Sequence, residues 1–160
     1  MQSPKPPITV GERAPDFALR DQSGSLVTLK QLLGSGPIVL FFYPKDDTTG
    51  CTKEACRFRE DYGRFREAGA KVLGISSDSE ESHRQFATKF SLPYQLLSDP
   101  GGKVRSLYGA LSLFGLMPRR VTFTIDASGV IRNVFRSDAR FDQHVEEALR
   151  SLQYGDAKRH

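Results

Sequence analysis

The sequence predicts an α/β protein: one mixed central sheet covered by helices. Three observations carry this. Ile38-Val39-Leu40-Phe41-Phe42-Tyr43 is a short, β-branched and aromatic run, as expected of a strand buried on both faces. Strand and helix patterns then alternate as β-α-β-α-β to about residue 98, which requires parallel crossovers. Residues 120–135 read instead as two strands around Asp126-Ala127-Ser128-Gly129, an antiparallel hairpin.

Each element has its own local signal. Pro4, Pro6 and Pro7 keep residues 1–13 out of regular structure, so a mobile lead-in is expected. Phe17-Ala18-Leu19 and Leu26-Val27-Thr28-Leu29 read as short strands around the turn cluster Asp21-Gln22-Ser23-Gly24-Ser25. Pro44 ends the buried strand. A helix is expected from Thr49 to Cys51 onward, capped by Thr48 or Thr49 and ended by Gly69, with Ala55, Phe58, Tyr62 and Phe65 on its inner face. Residues 71–76 follow as a strand, 79–90 as a helix and 95–98 as a short strand. Asp99-Pro100-Gly101-Gly102 is a turn before a short helix to about Tyr108. After the hairpin, Asp142 caps a last helix to about Leu152, with Val145, Ala148, Leu149 and Leu152 inward and residues 154–160 frayed. No repeat or linker divides the chain, so residues 1–160 read as a single domain with its core at about 8–152.

Composition narrows the function. The 160 residues are 38% hydrophobic and 26% charged, with a net charge of +4, an ordinary globular balance. The basic residues alternate with acidic ones, as in Arg57, Arg59, Glu60, Asp61, Arg64, Arg66 and Glu67. That pattern is a solvated helix face and not a nucleic-acid stripe. The longest apolar run, 38–43, falls far short of the roughly 20 residues a membrane helix needs. MQSPKPPITV lacks the apolar centre of a signal peptide. A cytoplasmic protein is the expectation, with the mature form of an organelle-targeted protein as the alternative.

Both cysteines of the chain lie in Pro44-Lys45-Asp46-Asp47-Thr48-Thr49-Gly50-Cys51-Thr52-Lys53-Glu54-Ala55-Cys56. Cys51 opens a helix directly after a buried strand, where unpaired backbone N–H groups favour the thiolate, which is the nucleophilic form. Cys56 is five residues on. In an intact helix the two Cα atoms stand about 8.6 Å apart, beyond the roughly 7 Å a disulfide tolerates. Bond formation therefore requires the first turns to unwind. Structural zinc needs about four ligands, and His83, His144 and His160 have no motif spacing. Inert buried thiols remain an alternative at this point. A thioredoxin-type dithiol is disfavoured, since its Cys-x-x-Cys gap is two residues and this one is four.

The surrounding residues resemble a known family. Pro44-x-x-x-Thr48-x-x-Cys51 after Phe42-Tyr43 is similar to the peroxidatic signature of the peroxiredoxins. The second cysteine of GCTKEAC resembles the peroxiredoxin Q group, also called bacterioferritin comigratory proteins. Ala14-Pro15-Asp16-Phe17 resembles the family's entry segment, and Arg120-x-Thr122-Phe123-x-Ile125-Asp126 its arginine strand. The likeness runs from about residue 8 to 152.

The resemblance implies a thioredoxin-like fold with an N-terminal β-hairpin extension and a thiol-dependent peroxidase activity without cofactor or metal. Carried over, Cys51 is the peroxidatic nucleophile and Cys56 the resolving thiol of an intramolecular disulfide. Thr48 offers its hydroxyl to the reacting sulfur and oxygens, Pro44 shields the thiolate, and Arg120 faces Cys51. The implied partners are a hydroperoxide and thioredoxin or a similar dithiol reductant. The chain lacks a C-terminal cysteine, so a monomer is expected. Taken singly, Pro44 is a strand end, Thr48 a helix cap, Arg120 a surface arginine beside Arg119, Glu54 a complement to the helix dipole and Tyr43 a core residue. The apolar stretch Leu111-Ser112-Leu113-Phe114-Gly115-Leu116-Met117 reads as core or as an apolar lip beside the site. A disulfide reductase and a non-catalytic redox sensor are the rival functions.

Overall fold

The computed structural model describes residues 8–111 and 117–157, with side chains as far as Leu152. Its centre is a seven-stranded sheet of β1 (Ala18–Asp21), β2 (Leu26–Thr28), β3 (Ile38–Phe42), β4 (Lys71–Ser76), β5 (Gln95–Ser98), β6 (Val121–Ile125) and β7 (Ile131–Arg136). The spatial order is β2-β1-β5-β4-β3-β6-β7. β3, β4 and β5 pair in parallel. β6 joins β3 antiparallel and carries β7 at the edge. The β1–β2 hairpin forms the opposite edge through β5. The mixed sheet expected from the sequence is the one found.

β3 shows why its apolar run is continuous. Ile38, Leu40 and Phe42 enter the core on one face of the sheet, beside Leu73, Ile75, Tyr108 and Phe123. Val39, Phe41 and Tyr43 enter the core on the other face, beside Phe58, Phe65, Leu96 and Val145. The period of two sends alternate side chains to opposite faces, and helices cover both. Phe41 stacks on Phe58 with ring centroids 4.5 Å apart. Truncating such a ring costs about 3–5 kcal/mol.

The helices are α1 (Leu29–Leu33), α2 (Thr49–Glu60), α3 (Tyr62–Glu67), α4 (Glu80–Lys89), α5 (Lys103–Leu107) and α6 (Phe141–Ala157). Three boundaries differ from the sequence reading. Leu29 does not extend a strand but begins α1, because the Thr28 hydroxyl accepts from Gln31 N and caps a helix there. The single helix expected up to Gly69 is two helices. Asp61 separates them with φ −99° and ψ 10°, beside Gly63, and both residue types have low helix propensity. The last helix starts at Phe141, two residues earlier than a cap at Asp142 implies, and continues through Ala157 instead of fraying at 154.

Sheet register sets the geometry of the site. Phe42 pairs with Val121 across β3 and β6. The end of β3, where the Pro44–Thr48 loop departs, therefore lies beside Arg120. This is the carboxyl end of a parallel strand, the usual place for a site in an α/β sheet.

Candidate active site

Cys51 is the third residue of α2 and only 1% exposed. Thr48 is the N-cap, but its side chain makes no bond into the helix. Its hydroxyl donates instead to Lys45 O at 3.0 Å. Thr48 is exposed and Pro44 half-buried. The first-turn amides thus lack a side-chain cap on the side where Cys51 sits, and they favour an anion there.

Arg120 arrives from the register just described. Its Nη1 and Nη2 both donate to Cys51 Sγ at 3.5 Å. Nη1 also donates to Glu54 Oε1 at 3.1 Å. The ring of Phe141 covers the guanidinium, with its centroid 4.8 Å from Arg120 Cζ. Burial alone weakens the guanidinium as a base, but Glu54 and Cys51 outweigh it and push Arg120 upward. The site therefore holds a fixed cation against the sulfur.

Three residues complete the site that sequence reasoning did not assign to it. Glu54 is fully buried, not a surface complement to the helix dipole. Burial raises its carboxyl to about 8 against the lowering pull of Arg120. His144, from α6, is also fully buried, and burial lowers it to about 4. Its Nδ1 lies 3.6 Å from Glu54 Oε2. Arg105, from α5, donates to the carbonyls of Tyr43, Ala110 and Arg119. Burial lowers it to about 10, with Asp99 pulling the other way. Nothing local marks these residues. Glu54 and His144 are buried where α6 packs on α2, and Arg105 where α5 reaches the end of β3.

The loop before α2 is anchored from below. Asp46 is buried and accepts from Tyr43 OH at 2.5 Å and from Ser82 Oγ at 2.8 Å, and His83 Nδ1 lies at 2.7 Å. Asp46 N donates to Asp78 Oδ2 at 2.8 Å. Asp46, Asp78 and His83 hold potential metal-ligand atoms within 4.8 Å of one another. All three are engaged in the hydrogen bonds that hold the loop. Tyr43, read as core, is core with a polar tip.

Cys56 is half-buried, and both thiols are free. It lines an open groove of about 590 Å³ with Lys53, Arg57, Glu60, Arg140 and Phe141. Both cysteines lie on the one helix α2, so the expected separation holds while that helix is wound. Most of the apolar stretch 111–117 falls outside the described residues. Leu111 pairs with Pro118 as an isolated bridge, and Met117 is 64% exposed.

A buried thiol at a helix N-terminus under a fixed arginine is a site for nucleophilic attack by sulfur. Residues 10–134 match the model of the AhpC/TSA family. The chain belongs to that family. Among its relatives, the chloroplastic peroxiredoxin Q of Sedum lineare is 48% identical over 147 residues, 91% of this chain and 78% of the relative. Peroxidoxin BcpB from Mycobacterium tuberculosis superposes with a TM-score of 0.85 at 41% identity, covering 91% of this chain and 96% of that one. Bacterioferritin comigratory protein from Xanthomonas campestris, solved in a study of its alkyl peroxide reduction activity, has a TM-score of 0.79 at 28% identity over 87% and 91%. These likenesses make the family member a peroxiredoxin of the Q group with the thioredoxin-like fold, and a thiol-dependent peroxidase. The plant relatives from Sedum lineare and Arabidopsis thaliana are named chloroplastic.

Proposed function

We propose that the protein reduces hydrogen peroxide and organic hydroperoxides through a Cys51 sulfenic acid and a Cys51–Cys56 disulfide, recycled by thioredoxin or a similar dithiol. The observation that carries this reading is the contact of both Arg120 Nη atoms with Cys51 Sγ at 3.5 Å.

The Cys51 thiolate attacks the terminal oxygen of the hydroperoxide. The S–O bond forms, the O–O bond breaks, and the alcohol leaves after taking up a proton. Negative charge spreads over sulfur and both oxygens, and Arg120 with the α2 amides stabilises it without reorganising. Pro44 excludes water from the sulfur. Thr48 turns its hydroxyl from Lys45 O toward the peroxide when substrate enters. The first turns of α2 then unwind, Cys56 condenses with the sulfenic acid and water leaves. An external dithiol reduces the disulfide by exchange. The whole chain acts as a single domain and as a monomer.

The experiment is stopped-flow peroxide consumption with thioredoxin and its reductase, using Cys51→Ser and Cys56→Ser. Loss of all reaction in Cys51→Ser is expected. Cys56→Ser is expected to react once and then stop. Continued turnover by Cys56→Ser would remove the resolving role and leave the nucleophile.

A further inference from the structure

Arg120 Nη1 serves two acidic groups at once, Cys51 Sγ at 3.5 Å and Glu54 Oε1 at 3.1 Å. Both are buried, Cys51 to 1% and Glu54 to 0% exposure. Two anions sharing one cation in a dry site repel each other, and the second charge is costly. The other charged neighbour, Arg105, commits its guanidinium to the carbonyls of Tyr43, Ala110 and Arg119. None of those bonds reaches Glu54, so Arg105 gives that carboxyl no direct partner.

The far oxygen of Glu54 gives an independent sign. Among the described residues, Oε2 is buried without a hydrogen-bond partner. It points at His144 Nδ1, 3.6 Å away. His144 Nε2 lies 2.7 Å from Ser137 O, a carbonyl that can only accept, so Nε2 carries the ring proton. Nδ1 then presents a lone pair, which accepts from the Thr122 hydroxyl at 2.7 Å. A carboxylate oxygen facing that lone pair is repelled. A neutral carboxyl facing it carries no full charge to be repelled. Tyr94, whose phenol donates to Ala55 O at 2.6 Å, is the remaining titratable group near Glu54, and it too is neutral through burial.

We propose that Glu54 is a proton store: it is a neutral acid while Cys51 is a thiolate, and it ionises once Cys51 has become a sulfenic acid. Arg120 then faces one anion before and after the chemical step. The balance is Cys51–S⁻ + ROOH + Glu54–COOH → Cys51–SOH + ROH + Glu54–COO⁻. Sulfur is oxidised and the peroxide reduced. The S–O bond forms as the O–O bond breaks, and the alkoxide's proton is matched by the one Glu54 gives up. The inference rests on Cys51 being the nucleophile. Glu54 acts through Arg120 and is a positioning residue. The high carboxyl of Glu54 and the low imidazole of His144 have the direction this requires.

The test uses the Cys56→Ser chain, which stops at the sulfenic acid, oxidised with one equivalent of hydrogen peroxide at pH 7. Three readings are taken: a dimedone adduct at Cys51 by mass spectrometry, the carbonyl stretch of protonated carboxyl groups by infrared difference spectroscopy, and proton uptake with an indicator dye. The adduct forms, the protonated-carboxyl band disappears, and no net proton is taken up. In Cys56→Ser/Glu54→Gln the adduct forms, the band change is absent, and one proton is taken up per sulfenic acid. An adduct with an unchanged carboxyl band overturns the store and leaves the nucleophile standing. Absence of the adduct overturns the nucleophile reading, and the store with it. The infrared reading needs no change at Glu54, so it holds if the double variant does not fold.

Discussion

Arg57 Nε donates to Asp142 Oδ1 at 3.0 Å, which ties α2 to α6 one residue after Cys56. Arg57 Nη2 reaches Glu146 Oε1 at 3.2 Å, and Nη1 pairs with Asp61, the residue that ends α2. Asp142 is 80% exposed at its side chain, so each bond is weak singly. Together they fasten the last turn of α2, which borders the turns that unwind in the proposed disulfide step. Arg57→Ala is expected to lower stability by about 1 kcal/mol. Disulfide formation after oxidation should quicken about fivefold, since that energy no longer opposes unwinding. Rapid-quench trapping of the disulfide measures it. A slower or unchanged rate would show that unwinding does not pass through this contact.

Arg120 and Arg119 are adjacent but differ in surroundings. Arg120 is 6% exposed over Cys51, whereas the Arg119 side chain is half exposed beside Asp138. Arg120→Ala should lower the rate constant for peroxide with Cys51 about 10²–10³-fold. Arg119→Ala should change it by about twofold at most, as a surface substitution. Stopped-flow oxidation of both variants compares them. Equal losses would refute a special role for Arg120.

Gly50 shows how closely the site is packed. A Cβ there would stand 2.9 Å from Phe141 Cζ and 3.1 Å from Arg120 Nη2. The Gly50→Ala variant is expected to lose about 1–3 kcal/mol through overpacking. It should also lose peroxide reactivity, because the methyl group displaces the guanidinium from the sulfur. Thermal unfolding and stopped-flow oxidation test the two effects. A stable variant that has kept full reactivity would mean that Phe141 moves and Arg120 does not.

Glu54 and His144 predict an unusual pH profile for stability. Burial raises Glu54 from 4.5 to about 8, so its contribution is complete below 4.5 and is lost as pH climbs through 8. Burial lowers His144 from 6.5 to about 4, so its contribution is complete above 6.5 and is lost as pH falls through 4. Within the wild type the two effects oppose below 6.5. The Glu54 contribution is read as the stability of the reduced chain relative to Glu54→Gln, which should rise as pH falls from 8 to 6.5. Melting curves of the two chains decide it, and a difference that does not change with pH over this range would contradict an acid at Glu54.

Cys51 is legible as a candidate nucleophile because its signals are contiguous. Pro44, Thr48 and Cys51 lie within one strand–turn–helix passage, where spacing alone sets direction. Arg120 acts over 69 positions of chain, and only the likeness to a family brought it to Cys51. Glu54 was misjudged because an acidic residue in the N-terminal half of a helix has an ordinary exposed explanation. Its burial depends on α6 and β6, which pattern does not bring together. The same holds for His144 and Arg105. α1 went unread because five residues are too few to show a helical period. The break at Asp61 was hidden because Phe58 and Phe65 keep helical spacing across it.

Arg105 has a consequence for how this protein varies. Its Nη1 donates to both Ala110 O and Arg119 O, and Arg119 N donates to Ala110 O at 3.0 Å. Those bonds close a neck at the two ends of the segment between them. The chain from 111 to 118 leaves and returns at a fixed point, and Arg120 follows directly. Substitutions, or even a change of length, beyond the neck need not disturb the aim of Arg120. The scaffold thus separates inheritance of the chemistry from innovation in the intervening segment: a lineage can rewrite that segment while Cys51 keeps its cation.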